Sequence, residues 1–89
     1  MWEQIQPLVD PENKACCDSE RTRLMKEWCS NQGYCIGSGI DHVQHSTISK
    51  CWCSLQKNLK EIPLYFKELT ELEAVLKATH WVATEKGLL

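Results

Sequence analysis

Residues 29–53, CSNQGYCIGSGIDHVQHSTISKCWC, hold four of the chain's six cysteines and two of its three histidines. Whether those sulfurs grip a metal, each other or nothing decides how the chain is organised. Gly33, Gly37 and Gly39 crowd into seven positions, and Ile40, Val43, Thr47 and Ile48 then supply β-branched residues. The pattern predicts a β-hairpin with its turn at 44–46. Cys29 and Cys35 stand toward one end of it, Cys51 and Cys53 toward the other.

Two cysteine pairs on a hairpin whose ends converge are what a zinc ribbon uses. Zinc takes four ligands at tetrahedral corners, with each sulfur about 2.3 Å from the metal. Cys29, Cys35, Cys51 and Cys53 are therefore the first candidate ligand set, and Cys16, Cys17, His42 and His45 are candidate substitutes. Such a site would be structural, because four thiolates leave no position open for water. A [4Fe–4S] cluster is the alternative cofactor, since iron–sulfur centres are held by four thiolates. Cys16 and Cys17 are adjacent, so their side chains diverge; the plain expectation is one buried and one surface thiol.

Compartment bears on the same choice. Six cysteines in a short secreted chain would read as a disulfide framework. The start, MWEQIQPLVDPENK, has no basic segment followed by an apolar one, which points to the cytoplasm and to reduced, metal-binding thiols. No apolar run approaches the roughly 18 residues of a membrane span. The net charge of -2 makes direct nucleic-acid binding a poor fit and leaves any such contact indirect. Eighty-nine residues make one small unit whose lone apolar core would be marginal, so a metal or a partner is expected to support it.

Outward from the hairpin the chain reads as helices. DPEN suggests a helix start with Asp10 as N-cap and Pro11 at the first position. DSERTRLMKEW forms the next helix, with Leu24, Met25 and Trp28 on one face, ending at Asn31 and Gly33. SLQKNLKEI carries Leu55, Leu59 and Ile62 at i, i+4, i+7 and reads as a short helix stopped by Pro63. TELEAVLKATHWVATEKG is the longest helix, with Thr70 and Glu73 in a capping box and Gly87 past its end. The expected fold is small α+β and metal-stapled: short N-terminal helices, a zinc-ribbon-like hairpin, a short helix and a longer amphipathic one. The expected division is a zinc-binding module over 1–61 and a linker with helix over 62–89.

No Ser-His-Asp grouping, H-E-x-x-H or Walker motif is present, so the sequence reads as a non-enzyme. Cys35-Ile36-Gly37-Ser38-Gly39, Cys51-Trp52-Cys53, Ile62-Pro63-Leu64-Tyr65 and Gly87-Leu88-Leu89 occur in that order. Together they resemble the N-terminal zinc-binding region of AAA+ helicase loaders of the DnaC type and their phage and transposition relatives. The resemblance covers residues 29–89 and implies that a P-loop would follow the Gly-Leu-Leu strand. It further implies a role in DNA replication, as an adaptor whose zinc-bearing region contacts a replicative helicase or related ATPase. The competing function is a small iron–sulfur protein or accessory subunit of a redox or radical enzyme.

Overall fold

The computed structural model describes the backbone of residues 1–42, 49–57 and 60–89, and their side chains except at 40–42, 49–53, 55, 61 and 63–65. Among the described residues six elements follow one another: α1 (Trp2–Val9), α2 (Asp18–Asn31), β1 (Tyr34–His42), β2 (Ser49–Lys57), β3 (Lys60–Glu68) and α3 (Glu71–Glu85). The strands form one antiparallel sheet in the order β1-β2-β3. Helices α2 and α3 lie on one face of it, and α1 packs against both.

The expected small α+β class holds, and so does the β1–β2 pairing; the turn placed at 44–46 lies outside the described residues. The helix expected over 54–62 is not there. Residues 54–57 extend β2, and 60–62 begin β3. The apolar stripe misled for a physical reason: Leu55 and Ile62 are partners across the β2–β3 ladder, so a seven-residue spacing closes through a chain reversal instead of through two helical turns. The register shifts between Ser54 and Leu55, which pair with Tyr65 and Ile62 and leave Pro63 and Leu64 as the extra residues. A proline has no N–H for a ladder, and a bulge on an outer strand is where a sheet tolerates one.

A second correction concerns the N-terminus. The helix precedes Asp10 instead of starting there, because Trp2, Ile5 and Val9 share a face and bury against the core. Asp10 terminates α1 and anchors the following turn: its carboxylate accepts the amides of Lys14 and Ala15, each at 2.9 Å. Those two hydrogen bonds hold its carboxyl below the usual range. Arg21 of α2 stacks 5.0 Å over the Trp2 ring, tying α1 to its neighbour.

Helix α3 matches its expectation closely. Thr70 Oγ1 accepts the Glu73 amide at 3.1 Å, satisfying one of the orphan donors of the first turn. At the far end Gly87 adopts φ +71°, and the Leu88 amide bonds back to the Ala83 carbonyl at 2.9 Å. Such a left-handed exit strongly favours glycine. Gly33, at φ +91°, makes the comparable exit from α2 into β1.

One core joins all of this. Ile5 and Val9 of α1, Met25 and Cys29 of α2, Tyr34 of β1, and Ala74, Val75, Ala78, Val82 and Ala83 of α3 are buried together. Ile36, Ile62 and Phe66 cover it from the sheet. This core draws on residues from both sides of the expected boundary between 61 and 62. Tyr34 meets Trp81 edge-on, with ring centroids 5.9 Å apart, and Lys57 Nζ sits 5.2 Å from the Tyr34 ring centre.

Candidate functional site

The cysteines are the expected site. Cys29 lies on α2, four residues after Met25, and both are fully buried. Its thiol donates to Thr79 Oγ1 at 3.6 Å, and that hydroxyl donates on to the Val75 carbonyl at 2.8 Å. Burial pushes the Cys29 thiol up to about 11. A thiol so placed is a packed core group and not a reactive one.

Cys35 is exposed on β1, where its Cα partner is Gln56. Cys51 pairs with Ile40 and Cys53 with Ser38. Cys35 and Cys51 thus stand five positions apart along the ladder, roughly 17 Å at the rise of an antiparallel strand. Two cysteine side chains reaching a metal about 2.3 Å from each sulfur cannot span that separation. In this register Cys35 and Cys51 do not meet at one zinc, and the side chains of Cys51 and Cys53 lie outside the described residues.

Of the substitute candidates, the side chains of Cys16 and Cys17 are described. Cys16 and Cys17 are both exposed in the turn before α2, against the expectation that one would be buried. Cys16 donates its thiol to the Lys14 carbonyl at 3.3 Å, and Cys17 is the N-cap position of α2. His42 ends β1 opposite Ser49, and His45 lies outside the described residues. Among the described residues no three His, Cys, Asp or Glu side chains gather where a metal would sit.

A polar junction forms at a place that no sequence motif marks. Ser38 in the middle of β1 donates to Glu71 Oε1 at 2.7 Å, and Lys26 Nζ of α2 approaches the same oxygen at 3.3 Å. The Ser38 hydrogen bond, with Lys26 adding to it, holds the Glu71 carboxyl below the usual range. One carboxylate oxygen at the start of α3 thus ties together α2, α3 and the centre of β1. Beside it, Asp18, Thr22, Arg23 and Lys26 of α2 face Thr70 and Glu71 across an open cleft of about 460 Å³. A second, apolar groove of about 410 Å³ lies between Phe66, Trp81, His80 and Met1.

The side of the sheet away from the helices has a different character. Tyr34, Ile36, Ile62 and Phe66 turn toward the core, while Cys35, Gly37 and Gln56 are exposed. The two outer strands differ as well. β3 carries Pro63 within its register shift and has exposed lysines at 60 and 67. β1 pairs with β2 over nine consecutive positions without a shift and contains no proline, lysine or arginine. Proline, bulges and lysine are the devices that blunt a sheet edge against pairing with another chain. β3 has all three and β1 has none.

No protein-family model matches the chain, and no curated protein or solved structure matches it. Among the described residues no helix is long and apolar enough to cross a membrane.

Proposed function

We propose that this chain is a non-catalytic adaptor that docks on a larger protein through the unguarded β1 side of its sheet. The single observation carrying the proposal is the asymmetry of the sheet. One face is sealed by α2 and α3, and the β3 side is protected by Pro63, a bulge and two lysines. β1 offers nine regularly paired residues with small side chains at Gly37, Ser38 and Gly39. A strand left in that state is a template for another chain.

The resemblance to helicase loaders supplies the partner class: a replicative helicase or a related ATPase in the cytoplasm, with nucleic acid engaged only through that partner. The adaptor reading holds with or without a metal, because the apolar core itself joins helices and sheet. The test is co-sedimentation of the purified chain with a panel of purified hexameric replicative helicases at about 10 μM, a concentration that detects weak micromolar complexes. A complex with one of them, weakened by Gly37→Lys, supports the proposal. Absence of a complex with every helicase in the panel overturns the partner class.

A further inference from the structure

We infer that the occupant of the β1 side is an extended peptide segment of the partner, which adds to the sheet as a fourth strand. The inference rests on the adaptor reading and specifies the chemistry of what that adaptor grips.

Three features converge on it. β1 spans Tyr34–His42, roughly 30 Å of backbone at the usual rise, and its alternate N–H and C=O groups point away from β2. Among the described residues no strand pairs with that outer side. The centre of β1 is also fixed beforehand. Ser38 is hydrogen-bonded to Glu71, which Lys26 holds from α2. A strand already held by the helix layer has little order left to gain when a peptide arrives, and preorganisation of this kind favours affinity. Finally, Gly37 is exposed and its neighbour Cys35 is small. An edge glycine is best covered by a large cross-strand side chain, so the peptide is expected to place an aromatic or β-branched residue opposite Gly37.

Area argues for a peptide over a second copy of this chain. Two such sheets meeting edge to edge share a strip of roughly 30 Å by 10 Å, about 600 Å² in total over both partners. Stable globular interfaces bury about 1,200–2,000 Å². An extended segment escapes this limit. Its main chain completes the ladder, and its alternating side chains spread onto both faces of the sheet, the mode by which peptides add to exposed sheet edges.

The test selects binders from a displayed library of random dodecapeptides against the immobilised full chain. The enriched peptides are synthesised and mapped by amide hydrogen exchange. Peptides rich in β-branched and aromatic residues are expected, protecting alternate amides of Tyr34–His42. N-methylation of one alternating set of peptide amides should weaken binding at least tenfold, and methylation of the other set should not. Peptides that map to the Phe66–Trp81 groove or to the α2–α3 cleft, or a library that yields no binder, overturn the inference. So does sedimentation showing that the chain pairs with itself through β1. Helicase binding that leaves β1 amides unprotected removes this inference while the adaptor reading survives; peptide addition without helicase binding removes the partner class alone.

Discussion

Replacing Cys29 by alanine separates a core cysteine from a metal ligand. The residue is fully buried, so the change deletes one sulfur from a packed site. Removing a group of about methylene size costs roughly 0.8 kcal/mol in transfer free energy. The cavity left behind adds a smaller term at about 24 cal/mol per Å³. Thr79 loses the thiol as a donor but keeps its own bond to the Val75 carbonyl, so no buried donor is orphaned. The expected cost is about 1–2 kcal/mol. For a domain of this size that lowers the melting temperature by roughly 5–15 °C. Cys35→Ala, at an exposed position, should stay within about 0.5 kcal/mol of the parent. Urea unfolding followed by tryptophan fluorescence, with and without a chelator, measures both. If Cys29, Cys35, Cys51 and Cys53 held a structural zinc worth about 10–16 kcal/mol, either substitution would unfold the domain and the chelator would do the same. Equal, severe losses for Cys29→Ala and Cys35→Ala, accompanied by one metal ion per chain, would refute the placement of Cys29 in the core.

Folding should weaken as pH rises from about 9 toward 11: the folded chain keeps the Cys29 proton, with its thiol at about 11, where the unfolded thiol at 9.0 has released it. Denaturation midpoints should show this slope, and Cys29→Ala should remove it. On the acid side, the carboxyls of Glu71 and Asp10 sit below their ordinary values. Their contribution is complete above pH about 4.5 and fades as pH falls through their folded values. Glu71→Gln should flatten part of that acid limb, with a cost under about 1 kcal/mol because the carboxylate is still partly in water. Thr70→Ala removes the acceptor for the Glu73 amide and should cost about 1 kcal/mol; Thr70→Ser should restore most of it in the same melting assay.

The legible parts of the fold were those whose signals are local. The Thr70–Glu73 box fixed the start of α3, Gly33 and Gly87 fixed two helix exits, and the β-branched run after Gly39 marked the hairpin. α1 was obscured by Pro7, a residue that normally argues against a helix interior, although the Trp2, Ile5 and Val9 spacing was available. The segment 54–62 failed because Leu55 and Ile62 satisfy two periods at once, and only the register to β3 chooses between them. The candidate site was the least legible. Cys29 reads as a ligand beside Cys35, yet its spacing from Met25 also puts it on the buried stripe of α2. The Ser38–Glu71–Lys26 junction joins residues 33 and 45 positions apart in the chain, a meeting that no local pattern announces.

The shared core also has a bearing on biosynthesis. Ile5 and Met25 share one buried cluster with Val75 and Val82, which lie far along the chain from them. During translation the first helices must wait, uncovered, until α3 has emerged from the ribosome. A nascent chain halted around residue 61 would therefore be open to proteases and chaperones and not hold a stable half-domain. The module can be inherited or transplanted only as one piece.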